Sequence, residues 1–161
     1  MKRCFLALSV LIVLALAACA AVRSPDDAQQ LQLYFASTEN HGPAIVGQPY
    51  EGEESPTAEQ LIAALLSGPT GEGLRSPFPA GLSLRGLSLE EGHLTVDFSE
   101  QYGGLTDVSL TLADYCVVLT LCQLDGIDSV EITISGQSTP YRSHQVLTAE
   151  EVMLEIQSSG G

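Results

Sequence analysis

The residues of this chain that could do chemistry fall into four arrangements, each implying a different reaction. Gly68 and Gly73, in the stretch LLSGPTGEGLRS from Leu65 to Ser76, have the G-x-x-x-x-G spacing of a phosphate-binding loop. Such a loop needs Lys and then Ser or Thr directly afterwards, one to reach the terminal phosphates and the other to hold magnesium. Leu74 and Arg75 stand there instead. Asp97 and Glu100, in VDFSEQY, are the nearest approach to the carboxylate pair that glycoside cleavage requires. The rival role for Asp97 is to cap the turn after its strand through its side chain. A chain with no tryptophan to stack on a sugar favours that role. His41, His93 and His144 fall in three separate loops or turns, without the H-x-x-x-H or H-E-x-x-H spacing of a zinc site, and read as solvated loop residues. The serines include no G-x-S-x-G elbow, and the carboxylates no D-x-D-x-D-G calcium series.

The fourth arrangement is Cys116 with Cys122. Both fall in a segment that reads as helix, where six residues advance about 9 Å. Bridged Cα atoms lie about 4.4–6.8 Å apart. Two small, buried, free thiols are expected. No residue is assigned a catalytic, cofactor-binding or metal-ligating role, and no cofactor is expected. The tyrosines Tyr34, Tyr50, Tyr102, Tyr115 and Tyr141 read as rim or interface residues.

The residue given a chemical fate is Cys19. Lys2 and Arg3 precede the apolar run CFLALSVLIVLALAACAAV, which has the charged and apolar regions of a secretory signal. The run passes through Leu16-Ala17-Ala18-Cys19, which resembles the lipobox of bacterial lipoproteins, where the cysteine is diacylated and the signal is cut just before it. Acyl chains contribute about 0.8 kcal/mol per buried methylene, enough together for stable anchoring. The competing reading is an uncleaved membrane anchor over Phe5 to Val22. Both put the domain outside the cytoplasmic membrane, and the lipoprotein reading places it on that membrane's outer face. Cleavage removes 18 of the 161 residues and leaves 143, enough for one domain with a proper core. It also removes Lys2 and Arg3, taking the formal charge from −14 to −16, with Arg23, Arg75, Arg85 and Arg142 opposing twenty carboxylates. Such a surface repels phosphate backbones and excludes nucleic acid as a partner.

The elements that would position these residues follow from periodicity. LQLYF alternates Leu31, Leu33 and Phe35 against Gln32 and Tyr34, a half-buried strand. A long connection with a short extended piece at Ala44 to Val46 leads to a helix from about Pro56 to Leu66. Its apolar face is Ala58, Leu61, Ile62, Leu65 and Leu66. Either Ser55 caps it with Pro56 at the first helical position, or Thr57 caps it with Gln60 completing a capping box. Gly68 at a left-handed cap and Pro69 end it. Two strands follow about a turn at Glu90-Glu91-Gly92. Leu82 and Leu84 have one parity and Leu87 and Leu89 the other, which predicts a bulge at Gly86. A second helix runs from about Leu110 to Leu124, burying Ala113, Cys116, Val117, Thr120, Leu121 and Leu124. The strand SVEITIS turns Val130, Ile132 and Ile134 inward. Thr148 and Glu151 form a capping box before Val152, Met153 and Ile156, predicting a short terminal helix. The order β-α-β-β-α-β predicts an α+β fold, a small mixed sheet with two helices packed on one face.

LQLYF, LIAALLSGPTGEGLRSPFPAGLSLRGLSLEEGHLTVDFSEQYGG, VVLTL and VEITISG, in this order and spacing, resemble the GerMN domain, the sporulation and spore germination domain of bacterial envelope lipoproteins. The matching features are the leucine pair before Gly68-Pro69, Ser76 with Pro79 and Gly81, Val96-Asp97-Phe98-Ser99, Thr120-Leu121, and Val130 with Gly136. The resemblance covers Leu31 to Gly136. It implies an extracytoplasmic, non-catalytic domain similar in fold to the ring-building modules of envelope machines. In endospore formers such lipoproteins take part in the assembly joining mother cell and forespore. The best-known sporulation member carries two copies where this chain has one, and the domain also occurs in bacteria that make no spores. The resemblance therefore carries the domain and not the spore-specific role. The expected organisation is a signal peptide at 1–18, lipidated cysteine and tether at 19–30, the GerMN-like domain at 31–136, and a C-terminal extension at 137–161. Two functions are open: an interaction module tethered to the membrane through Cys19, binding an envelope protein or copies of itself, and a small extracytoplasmic hydrolase or ligand binder acting at the cell wall.

Overall fold

The computed structural model describes residues 30–39, 41–42, 44–138 and 145–159. Cys19, the signal segment and His144 lie outside the described residues. The described strands are β1 (Gln32–Ser37), β2 (Ile45–Pro49), β3 (Leu74–Arg75), β4 (Leu84–Glu90), β5 (His93–Phe98), β6 (Ser129–Ile134), β7 (Gln137–Ser138) and β8 (Val146–Leu147). The helices are α1 (Ala58–Ser67), α2 (Asp107–Leu121) and α3 (Ala149–Ser159), with a 3-10 turn at Glu100–Gly104. The α+β class holds. The strands divide between two sheets, a three-stranded antiparallel one ordered β2-β1-β3 and a five-stranded mixed one ordered β4-β5-β6-β7, with β8 also on β6.

Parity decides the second sheet. Leu94, Val96 and Phe98 of β5 are buried and pair in register with Leu89, Leu87 and Leu84 of β4, so these leucines share the core face. The register slips between Leu84 and Gly86, leaving Arg85 as the extra residue, which is the bulge the leucine parity predicts. The hairpin closes at Glu91 and Gly92, both at positive φ (49° and 84°), as in the tight turns that match strand twist. From β5 the chain crosses through α2 and returns as β6 parallel to β5, the crossover that a parallel pair requires.

α2 is the central element. From Cys116 to Leu121 every residue is buried, because β1, β6, α1 and α3 all pack against it. A helix covered on all sides has no polar stripe and therefore little amphipathic signal. It starts at Asp107, three residues before the sequence expectation. Thr106 and Ser109 form a reciprocal capping box with serine where Glu or Gln usually stands. It stops at Leu121, with Cys122 as its cap and not inside it.

α1 settles the choice of caps. Thr57 accepts from Gln60 N while Gln60 Oε1 accepts from Thr57 N, so Pro56 precedes the helix. Leu61, Ile62 and Leu65 form its buried face. Gly68 ends it at φ 88° and ψ 169°, a glycine-only extended region in place of the expected left-handed cap. α3 is capped by Thr148 and Glu151 as the sequence indicates. It buries Val152 against α2, but Met153, expected on the apolar face, points outward.

Candidate functional site

An open groove of about 700 Å³ lies where the two sheets' core meets solvent, between β4, the start of α1 and the end of α2. Its apolar walls are Leu87, Leu89 and Leu94 of the β4–β5 hairpin, Pro56 just before α1, Leu124 and Ile127 after α2, and Leu31 just before β1. Each wall has a local cause. Thr57 fixes where α1 begins, which lays Pro56 against the core. After α2 the chain turns through Gly126 at φ 84° and tucks Ile127 back under Leu124. Leu89 is the exceptional residue: it sits on the core face, paired with a Leu94 that is 2% exposed, yet is itself 52% exposed. The lining carboxylates are Glu54, Glu59 and Asp125, and no Lys, Arg or His lines the groove.

Of the residues singled out for chemistry, His93 and Asp97 lie on the polar outer face of the five-stranded sheet, away from the groove. His93 is the first residue of β5 and not a loop residue. Its Nδ1 lies 3.0 Å from Ser129 Oγ and its Nε2 3.5 Å from Glu131 Oε2, while Ser138 donates to the other oxygen of Glu131 at 2.9 Å. A serine, a histidine and a carboxylate in that order are the parts of an acyl-transfer relay. Here they sit side by side on β5 and β6 of an open sheet surface, with Ser138 of β7 bonded to the carboxylate. The Ser129 amide, which a relay would want for an oxyanion, is donated to Gly92 C=O at 3.2 Å. The row knits β5 to β6, and nothing in its sequence spacing signals it, because β5 and β6 are more than thirty residues apart.

Asp97 is a cap, but not of the turn that follows it. Its Oδ1 accepts from Thr133 Oγ1 at 2.9 Å and from Gly136 N at 2.7 Å, so it holds the β6–β7 hairpin across the sheet. Arg85 Nε stands 3.4 Å from its other oxygen, a pair whose arginine is open to solvent and whose energetic weight is therefore small. Glu100 is exposed at the start of the 3-10 turn. His41 is exposed in the β1–β2 connection.

The glycine-spaced loop holds no phosphate cradle. The Thr70 and Gly71 amides are both donated to Gln48 Oε1, at 2.9 and 2.8 Å, and Leu74-Arg75 adds to the β1 edge as β3. Cys116 and Cys122 are free, the first buried and the second half-buried. Burial pushes the Cys116 thiol up to about 12, with Arg75 pulling it the other way. Burial also raises Cys122, partly offset by a hydrogen bond from the Ala149 backbone, with the Asp128 charge adding to the rise. Tyr102 corrects the expectation of rim tyrosines. It is fully buried, stacks on Phe98 at 4.9 Å, and donates its hydroxyl to the buried Asp114 at 2.7 Å. Tyr141 lies outside the described residues. Sequence reasoning missed Gln123. Its amide accepts from Gln32 N and donates to Gln32 C=O, and to Leu119 and Thr120 C=O, filling the β1 edge that β3 leaves open.

The fold recurs in solved structures. The first GerMN domain of the sporulation protein GerM from Bacillus subtilis matches at 23% identity and a TM-score of 0.61, covering 75% of this chain and 98% of that one. The tandem GerMN domains of the same protein match at 22% identity and a TM-score of 0.60, covering 76% of this chain. This chain spans 46% of that tandem structure, a little under half. A protein described as a candidate lipoprotein from Clostridium perfringens matches at 19% identity and a TM-score of 0.51, covering 76% of this chain and 88% of that one. No curated protein matches. The Germane family, described as sporulation and spore germination, matches residues 32–139, from the first strand through the β6–β7 hairpin. That span takes in α1, the β4–β5 hairpin, α2 and the groove between them, and the chain belongs to this family.

Proposed function

We propose that the chain is an extracytoplasmic lipoprotein, tethered to the outer face of the cytoplasmic membrane through Cys19. Its GerMN-like domain acts as a non-catalytic interaction module in a cell-envelope assembly, of the kind used in sporulation or germination. The observation that carries this reading is family membership over residues 32–139. It gains support from the chemistry. The groove is lined by apolar side chains, carboxylates and the hydroxyls of Ser55 and Thr57, the second of which is engaged in the cap of α1, and on the outer sheet face His93 bonds to Ser129 and Asp97 to Thr133. The lipobox-like Leu16-Ala17-Ala18-Cys19 supports the anchor. Cys19→Ala is expected to release the protein from the membrane fraction, and retention after signal processing would refute the anchor. In-cell crosslinking with mass spectrometry is expected to capture an envelope protein.

The alternative, a small hydrolase or ligand binder at the cell wall, has one observation in its favour, the Ser129–His93–Glu131 row. A fluorophosphonate probe decides it: stoichiometric labelling that disappears in Ser129→Ala would replace the first reading with the second.

A further inference from the structure

We propose that the groove beside β4 docks a basic, extended segment of another protein, which pairs as a strand with the free edge of β4 and lays an apolar side chain over Leu89. This deepens the interaction reading above and rests on it.

Three observations converge. β4 ends the strand order, so its outer edge pairs with no strand among the described residues, whereas the far side of β6 is covered in part by β7 and in part by β8. Exposed edges are usually guarded by lysine, proline or a bulge. β4 has its bulge at Arg85, and the run from Gly86 to Glu90 beyond it carries neither lysine nor proline. Next, Leu89 faces the core side but has no cover, and a strand added to β4 would drop alternate side chains into the groove over it. Last, the rim is acidic. Glu54, Glu59 and Asp125 line the groove, Glu90 and Glu91 follow at the end of β4, and among the described residues Arg75 and Arg85 are the only Lys or Arg. That field attracts a cationic segment and repels both an anionic one and a second copy of this chain. The edge supplies backbone pairing, the leucine lining an apolar surface, and the carboxylates the selection by charge.

The test uses the full chain in a neutral detergent and three seven-residue peptides: alternating Lys and Val, alternating Glu and Val, and the Lys-Val peptide with alternate amides N-methylated. The Lys-Val peptide is expected to bind at least tenfold tighter than either other peptide and to weaken with salt. It should slow hydrogen exchange at the β4 amides. Leu89→Lys, a change at an exposed position checked by its melting temperature, is expected to cost tenfold or more. Glu54→Gln with Glu59→Gln should cost less but flatten the salt dependence. Equal binding of the N-methylated peptide would mean surface adsorption and overturn the proposal, as would protection away from β4 or no binding at all. Self-association abolished by Leu89→Lys would assign the edge to a second copy instead, and a gain in peptide affinity on deleting residues 20–29 would assign it to the chain's own tether. Crosslinks that capture an envelope protein through other surfaces would refute this groove while leaving the interaction reading standing.

Discussion

Gly68 offers a way to measure backbone strain in this fold without steric interference. Its φ of 88° and ψ of 169° belong to a region essentially reserved for glycine, where a non-glycine residue costs about 1–3 kcal/mol. A Cβ built there meets nothing within 4 Å, so collision adds nothing to that cost. Gly68→Ala also restricts the unfolded chain, an offset of about 0.4–1 kcal/mol. Gly86 supplies the control, because its Cβ also meets nothing within 4 Å and its φ is not positive. Gly86→Ala therefore carries the unfolded-state gain alone and should stabilise by that amount. Subtracting one variant from the other cancels the unfolded-state term and leaves the strain of α1's last turn, about 1–3 kcal/mol. Gly92→Ala is a further strained position: its φ is 84°, and its new methyl group would push aside the exposed Asp128 carboxylate. Urea unfolding followed by circular dichroism, with the m-value checked for constancy, is expected to place Gly86→Ala above wild type and both Gly68→Ala and Gly92→Ala below it. Equal stability of Gly68→Ala and Gly86→Ala would refute the reasoning, since it would mean that the helix stop at Gly68 needs no glycine.

The buried Cys116 predicts a window of pH sensitivity. Its thiol goes from 9.0 when unfolded to about 12 when folded, so the folded state holds the proton longer. The contribution is intact below pH 9 and is lost as pH rises toward 12, by up to about 1.4 kcal/mol per pH unit. Wild type should lose stability faster than Cys116→Ala across that window, and parallel curves would refute it. Gln123→Ala removes four hydrogen bonds at the β1 edge and the end of α2, and should cost about 1–3 kcal/mol. Gln123→Glu keeps one acceptor and loses the donors, so it should fail to rescue; a wild-type melting temperature for Gln123→Glu would sink the account. Fluorophosphonate should leave Ser129 unlabelled, read by intact mass.

The elements that were legible in the sequence are those whose pattern is local. α1 shows its buried face at steps of three and four and its start in a capping box, and α3 shows its start the same way. The bulge in β4 was legible because one inserted residue swaps the parity of every leucine after it. α2 was harder for the opposite reason. Its second half is covered on all sides, so its sequence is apolar without a stripe, and its start relies on Ser109 in a role usually given to Glu or Gln. The two-residue strands β3, β7 and β8 carry no periodicity at all, and the division into two sheets was not legible because alternation does not encode which distant strands pair with β1 and which with β6.

The groove illustrates a different limit. Parity places Leu87 and Leu89 on the inner face of β4, and a sequence reader counts both as core. Whether an inner-face residue is covered depends on how far the neighbouring elements reach. α1 begins at Ala58, and the segment leading into it lines the groove without closing over Leu89. The capping box at Thr57 thus sets both the start of a helix and the opening beside β4. Alternation identifies the side of a sheet that wants to be buried, while element length and placement decide whether this molecule does the burying or leaves it to another.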